Sequence, residues 1–162
     1  MRRQIKLDRV DRIILRELQR NARITNVELA KLAGISAPPC LRRVRALEKA
    51  GLIKGYIALL DASDLGFEVT MFAAIGLHSQ AEADLQAFGE RISRSPIVRE
   101  SYMVTGESDF LLKCVARDIG EVQSFVAELT ALPNVASVKT RLVLDVTKYD
   151  PGVPVDSGDA ID

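Results

Sequence analysis

The chain has 162 residues and 22 basic against 22 acidic side chains, so its formal net charge is zero. This length suits one large domain or two small ones, and the overall charge excludes no class of partner. The two halves differ, however: residues 1–60 carry 14 lysines and arginines against 5 acids, net +9, whereas residues 61–162 carry 8 against 17, net −9. The first half therefore suits a polyanion, and the second is expected to do something other than bind one.

The two cysteines, Cys40 and Cys114, form no C-x-x-C pair and fall in a predicted helix and a predicted strand. We therefore expect a reducing compartment, no metal site and no cofactor. Cys40 stands near a helix start, where its thiol has either a lowered pKa or a packing role, and packing is favoured. The N-terminus lacks the apolar segment of a signal peptide, and no apolar run reaches membrane-spanning length. These features predict a cytoplasmic protein without membrane contact.

The first predicted helix covers residues 7–21, with Asp8 as its N-cap. Its apolar residues recur at the spacing of an amphipathic helix and form one wall of a small core: Leu7, Val10, Ile13, Ile14 and Leu18. Its other face is basic, and it lies either near a phosphate backbone or in solvent.

Residues 25–52 predict two short helices joined by a glycine turn. Thr25 and Glu28 form a capping box for the first helix, and Gly34 ends it. Ser36 is the predicted N-cap of the second helix, whose first turn contains two prolines. Proline has no backbone N–H, and this costs nothing there because N–H groups in the first turn have no intrahelical acceptor. Gly51 followed by an apolar residue predicts a Schellman stop.

The second of these helices has two kinds of face. Its predicted inward residues are Leu41, Val44 and Leu47, and its predicted outward residues are Arg42, Arg45 and Lys49. A merely solvated charged face would show acids four residues before the arginines, and only Glu48 is present. The pattern therefore favours a helix-turn-helix whose second helix enters the major groove of DNA.

The remaining chain predicts a second domain. Residues 53–60 suit a strand that either forms a wing or leads out of the first domain, and residues 61–68 suit a linker. A strand-helix-strand pattern then occurs twice. The first has strands at 69–77 and 97–105 around a helix at 81–94, and the second has strands at 110–116 and 135–146 around a helix at 119–132. This β-α-β-β-α-β order predicts a ferredoxin-like α+β sandwich over residues 69–149. Residues 150–162 are rich in Pro, Gly and Asp and predict a disordered acidic tail.

Two helices on one side of a four-stranded sheet leave the other face bare. That face is apolar in the predicted first strand, and a large apolar face implies a partner. The expected partner is a second copy of the chain, because two-fold dimers are the commonest assembly and a palindromic DNA site is bound by two DNA-binding domains.

Four stretches together resemble the Lrp/AsnC, or feast/famine, family. They are LDRVDRIILRELQRNARITNVELAKLAGIS, PPCLRRVRALEKAGLIKGYIALLD, VTGESDFLLKC and LPNVASVKTR. The resemblance covers residues from about 7 to 148. It implies a transcription regulator with an N-terminal winged helix-turn-helix (residues 1–60) and a C-terminal domain that senses amino acids and oligomerises, often as dimers that assemble into octamers.

The resemblance also assigns site residues. Its DNA-facing positions are Thr25, Asn26, Ser36, Ala37, Pro39, Arg42 and Arg43, to which the basic face of the helix adds Arg45. Its effector-binding positions are Gly106, Glu107, Ser108, Asp109, Thr140 and Arg141. A glycine-started turn that ends in Asp suits a zwitterion, although Asp is also favoured in turns for its local hydrogen bonds. Leucine-responsive members commonly have an apolar or aromatic residue where this chain has Arg141, so the effector's identity stays open.

One enzyme class is an alternative. Siroheme decarboxylases resemble the same two-part architecture and are expected to use histidines around their substrate. This chain has a single histidine, His78, at the predicted end of a strand, and no catalytic triad or metal-ligand cluster. A regulator without enzymatic activity is therefore the expectation.

Overall fold

The computed structural model describes residues 6–155, and residues 1–5 and 156–162 are outside this range. The chain divides into two compact units. The first, here called the head, comprises residues up to 59 together with the segment from 149 onward; the second, the sheet domain, comprises residues 60–148. No helix in the described part is long and apolar enough to cross a membrane.

Three helices form the head: α1 (Arg9–Arg20), α2 (Asn26–Ala33) and α3 (Ala37–Lys49). The predicted N-caps of α1 and α2 are confirmed, since Asp8 accepts from the Asp11 N–H and Thr25 accepts from the Glu28 N–H, each with a reciprocal bond. Gly34 ends α2 at φ 70°, in the left-handed region that glycine enters without steric cost. Local sequence therefore specifies where α1 and α2 begin and where α2 ends.

The two ends of α3 differ from each other in how well they were predicted. Ser36 occupies the N-cap position, but its side chain makes no capping hydrogen bond, so the prediction of a side-chain cap is wrong. The prolines in the first turn remove N–H groups that the serine would otherwise accept from. At the other end, Gly51 has φ 74° and the Leu52 N–H donates to the Leu47 carbonyl at 3.0 Å, which is the predicted Schellman stop.

The head core contains Cys40 in place of Leu41. Cys40 is fully buried together with Ile14, whereas the side chain of Leu41 is 39% exposed, so the predicted inward position of Leu41 is wrong by one residue. Val44 and Leu47 do face the core, as predicted. Burial raises the pKa of the Cys40 thiol, so the residue has the packing role and not the lowered pKa.

Residues 53–60 do not form the predicted strand. Their exposed apolar side chains include Ile57 at 79% and Leu60 at 72%, and no backbone hydrogen bond joins residues 54–60 to other described residues. A strand requires a second strand to pair with, and this single chain provides none within the described part.

The start of the predicted disordered tail is ordered. The Gln19 side chain on α1 donates to the Val153 carbonyl at 3.0 Å and accepts from the Val153 N–H at 2.7 Å. Pro151 to Val155, here called the strap, also line a cavity of about 540 Å³ with α1 and residues 52–59 of the head. The prediction of disorder is therefore wrong for residues 150–155, and residues 156–162 are outside the described range.

The sheet domain has the predicted β-α-β-β-α-β order. Its elements are β1 (Val69–Leu77), α4 (Glu82–Ser93), β2 (Val98–Met103), β3 (Phe110–Ala116), α5 (Ile119–Thr130) and β4 (Val135–Leu142). The antiparallel sheet has the strand order β2-β3-β1-β4, and this α+β architecture confirms the predicted fold class. The described β4 is shorter than predicted because residues 143–146 leave the sheet after Val143 donates to the Thr70 carbonyl.

Each strand has one face toward the core and one bare face. Met71, Ala73 and Ile75 of β1 are fully buried with Leu112 and Cys114 of β3, on the side that α4 and α5 cover. The intervening residues, which define the bare face, include Phe72, Ala74, Leu111, Lys113, Lys139 and Arg141. The predicted bare face therefore exists in this chain, with an apolar centre and charged edges.

Candidate DNA-reading face and effector site

One side chain ties the starts of α2 and α3 together. The Asn26 amide donates from Nδ2 to the Ala37 carbonyl at 2.8 Å, across eleven residues of sequence. Its Oδ1 is buried and has no hydrogen-bond partner in the described part. Asn26, predicted to contact DNA, thus has half of its amide group engaged in fixing the two helix starts side by side.

Thr25 lies beside this tie, and its hydroxyl belongs to the α2 capping box. The hydroxyl accepts from the Glu28 N–H at 3.2 Å and donates to the Glu28 carboxylate at 2.8 Å. The hydroxyl lowers the pKa of the Glu28 carboxyl most, and the Thr25 N–H, which donates to the same carboxylate at 3.1 Å, lowers it further. The Asn26 and Val27 N–H groups have no intrahelical acceptor, whereas the Glu28 carboxylate offsets part of the positive charge at this helix start.

The exposed part of α3 carries free polar groups. Ser36, Arg42 and Arg45 are exposed, and no ion pair of either arginine occurs within residues 6–155. Ala37 and Pro39 are half-buried next to them. The first turn of α3 contains no acid, so the partial positive charge of its N-terminus is not neutralised locally. We call Thr25, Asn26, Ser36, Ala37, Pro39, Arg42 and Arg45 the reading face.

Arg43 differs from its neighbours. Its Nη1 lies 2.6 Å from Asp8 Oδ2 and 2.7 Å from Asp11 Oδ1, and both acids belong to the start of α1. These contacts raise the pKa of the guanidinium, with the hydrogen bond to Asp11 the largest cause. The sequence placed Arg43 with the DNA contacts, whereas its guanidinium is engaged inside the head.

The candidate effector turn runs from Gly106 to Asp109. Gly106 has φ 114°, a conformation that favours glycine. Asp109 Oδ2 accepts from the Leu77 N–H at 2.7 Å, and its Oδ1 accepts from the Gln80 side chain at 2.8 Å. These bonds cross about thirty residues of sequence, so Asp109 fastens the start of β3 to the end of β1 and does more than close its own turn.

The two other predicted effector residues do not meet on one face. Thr140 pairs with Ala73 on the helix-covered side of the sheet, whereas Arg141 pairs with Phe72 on the bare face. Successive residues of a strand point to opposite faces, which separates these two side chains. Lys139 shares the bare face with Arg141, and its Nζ lies 3.5 Å from the carboxylate of the exposed Glu107, which joins the turn to β4.

Two glutamines of these regions were not predicted. Gln80 bonds Asp109 and Gln19 bonds the strap. The sequence separations of 29 and 134 residues leave no local signal for either contact.

No enzyme site is visible in the described part of the chain. His78 is exposed just beyond β1, and no group of three His, Cys, Asp or Glu side chains in that part is placed to hold a metal ion.

Comparison with known proteins agrees with this division. Residues 7–54 match the winged helix-turn-helix DNA-binding family, and residues 70–153 match the Lrp/AsnC ligand binding domain. The chain is 56% identical over 146 residues to the leucine-responsive regulatory protein of Rhizobium meliloti, covering 90% of this chain and 94% of that protein. It is 38% identical to the transcriptional regulator AzlB of Bacillus subtilis, with 94% and 98% of the two chains covered.

A solved structure is similar over the same extent. The transcriptional regulator NMB0573 of Neisseria meningitidis, in complex with L-Met, superposes with a TM-score of 0.89 at 32% identity, covering 93% of this chain and 98% of that one. The wing strand and some side-chain positions differ from the prediction. The order of the elements, the two domain matches and these relatives nevertheless all indicate the same family. This chain belongs to the Lrp/AsnC family of transcriptional regulators.

Proposed function

We propose that the chain binds double-stranded DNA through the reading face and that an amino acid held by the sheet domain changes this binding. The observation that carries the DNA proposal is the pair of exposed arginines, Arg42 and Arg45, which form no ion pair within residues 6–155 and lie on the helix whose start Asn26 fixes. In helix-turn-helix proteins this second helix lies in the major groove.

The members of the reading face have different roles in this proposal. Arg42 lies one turn into α3 and reaches base edges, while Arg45 is a further turn along and neutralises a phosphate. Ser36, Ala37 and Pro39 bring the start of α3 close to the DNA backbone. Because the Thr25 and Asn26 side chains are engaged within the head, this part of the face offers a second phosphate the N–H groups of Asn26 and Val27, which have no acceptor in the described part of the chain.

The chain is further proposed to act as a homodimer. Two features support self-association: the apolar centre of the bare face, and residues 54–60, which have exposed apolar side chains and no backbone hydrogen bonds with other described residues. A second copy would provide the strand that these residues lack, and two heads would read two half-sites. Association of dimers into an octamer is the larger assembly predicted from the family, and sedimentation of the full chain tests both.

The effector proposal places an α-amino acid against the Gly106–Asp109 turn. The Asp109 carboxylate has lone pairs beyond the two bonds it makes, and it supplies an anion for the ammonium group. Because Thr140 and Arg141 lie on opposite faces, one chain brings only one of them to a given ligand, and the second copy supplies the other. The L-Met complex of the Neisseria relative supports an amino acid as the ligand class.

This proposal includes a regulator without enzymatic activity. It also includes a cytoplasmic location, because the relatives are bacterial proteins and bacterial DNA lies in the cytoplasm. The curated relatives are named as regulators, and His78 is exposed without neighbouring catalytic groups. A bound tetrapyrrole in the purified protein, detected by its absorbance, would instead support the siroheme decarboxylase alternative.

The experiment is a selection of bound duplexes from a random library with the full chain, repeated with each of the twenty amino acids. We expect enrichment of a two-fold symmetric sequence and a change in its affinity with at least one amino acid. If no duplex is enriched over the starting library, the DNA proposal is wrong. If one is enriched but no amino acid binds in calorimetric titration, the effector proposal is wrong.

A further inference from the structure

Three charged side chains meet where α1 begins, and one of them comes from α3. Arg43 reaches across from α3 and places a single nitrogen, Nη1, between the carboxylates of Asp8 and Asp11 at 2.6 and 2.7 Å. We propose that Arg43 is a positioning residue, which sets the orientation of α3 against α1, and that it makes no contact with DNA. This proposal rests on the proposed function, because it concerns how the reading face is held.

The α1 capping box prepares the partners of Arg43. Asp8 Oδ1 accepts from the Asp11 N–H at 2.8 Å, and Asp11 Oδ2 accepts from the Asp8 N–H at 3.3 Å. The remaining oxygens, Asp8 Oδ2 and Asp11 Oδ1, are the ones that contact Arg43. Each carboxylate thus has one oxygen on the backbone and one on the guanidinium, so the helix start itself orients the receptor for Arg43.

Charge makes this three-group contact stronger than an ordinary surface pair. The two aspartates are neighbours of like charge, and a cation between them removes a repulsion as well as adding two attractions. The side chain of Asp11 is only 16% exposed and that of Arg43 is 37% exposed, so solvent screens the contact less than it would a fully exposed pair. Both acids also lie at the positive end of α1, where a negative charge is stabilising.

The neighbouring arginine gives the matched comparison. Arg42 precedes Arg43 on α3, about 100° away around the helix, and it is exposed without an ion pair in the described part. Two adjacent residues of α3 therefore differ: the Arg42 side chain can reach a ligand, whereas the Arg43 side chain is bound to α1. The basic run of α3 contains two functions, DNA contact and positioning.

The deciding experiment removes the acids instead of the arginine. The double variant Asp8→Asn/Asp11→Asn keeps a side chain that can cap α1 but takes away both charges. If Arg43 contacts DNA, freeing it and removing two negative charges should tighten binding to every duplex. If Arg43 positions α3, the same variant should weaken binding to a selected duplex by about tenfold relative to a scrambled one, and Arg43→Ala should do the same.

Amide hydrogen exchange provides the second readout and Arg42→Ala the control. We expect Arg43→Ala and the Asp double variant to lose protection at α1 and α3, whereas Arg42→Ala keeps protection and loses only discrimination between the selected and the scrambled duplex. Unchanged protection in Arg43→Ala, or tighter binding by the Asp variant to the selected duplex, would overturn the proposal. If the wild type selects no duplex, the proposed function fails, and the exchange result still decides whether Arg43 holds α1 and α3 together.

Discussion

The reading face of the head and the effector turn of the sheet domain use polar side chains in different ways. The reading face exposes Arg42, Arg45 and the Ser36 hydroxyl without hydrogen bonds to other described residues. At the turn, both oxygens of Asp109 already accept hydrogen bonds from elsewhere in the domain. A mutation of Arg42 or Arg45 is therefore expected to change binding alone, and one at Asp109 to change binding and folding together.

The largest expected effect is at Asp109. In Asp109→Ala the Leu77 N–H loses its acceptor and the ligand loses its anion, so we expect the amino-acid affinity to fall by about a hundredfold and the sheet domain to lose about 1–3 kcal/mol of stability. Calorimetric titration and chemical denaturation measure the two effects.

The variants Asp109→Asn and Glu107→Ala separate the two roles of Asp109. Asparagine keeps an acceptor for Leu77 without the charge, so Asp109→Asn should regain stability but not amino-acid binding. The exposed Glu107 has only the 3.5 Å contact with Lys139, and its removal should leave stability unchanged. Amino-acid binding by Asp109→Ala equal to that of the wild type would contradict the effector site.

The next largest effect is expected at Arg42. Because its side chain is not used to hold the head together, its removal should weaken DNA binding without lowering stability. Arg42→Ala should cost about 1–3 kcal/mol of discrimination between a selected duplex and one with a changed base, if the guanidinium reads a guanine. A fluorescence titration against both duplexes, at two salt concentrations, measures it. Equal weakening on both duplexes would assign Arg42 to a phosphate instead.

A smaller effect is expected at the strap. Truncation after Asp150 removes the Val153 backbone groups that bond Gln19 and uncovers apolar side chains of α1, so the head should lose about 1–2 kcal/mol of stability. Thermal unfolding of the truncated chain tests this. Gln19→Ala in the full-length chain should show a smaller loss, whereas an unchanged midpoint in the truncated chain would mean that the strap contributes nothing.

The smallest effect is the response of the head to acid. Hydrogen bonding lowers the pKa of Asp8, chiefly through the Asp11 N–H, and that of Glu28, chiefly through the Thr25 hydroxyl. A carboxyl with a lowered folded pKa binds fewer protons when folded, so its stabilisation is present above the ordinary values of 3.8 and 4.5 and is lost as pH falls below them. Exchange protection of α1 and α2 should therefore be unchanged between pH 7 and 5 and decrease below pH 4.5. Loss of protection already at pH 6 would implicate other groups.

Local sequence determined most of the secondary structure. The capping boxes at Asp8 and Thr25 and the glycines at 34 and 51 act within one or two helical turns, so short segments specify where those helices begin or end. The repeated strand-helix pattern specified the sheet fold in the same way.

Tertiary structure decided which side chains are free. Arg42 and Arg43 are adjacent and chemically identical, and only the position of α1 commits one of them to Asp8 and Asp11. The bonds from Asp109 to β1, from Asn26 to α3 and from Gln19 to the strap join residues far apart in sequence, with no local pattern. The strand predicted at residues 53–60 failed for the same reason, because pairing depends on a partner outside the segment. Backbone conformation follows from neighbouring residues, whereas the availability of a polar group depends on everything the fold brings within hydrogen-bonding distance of it.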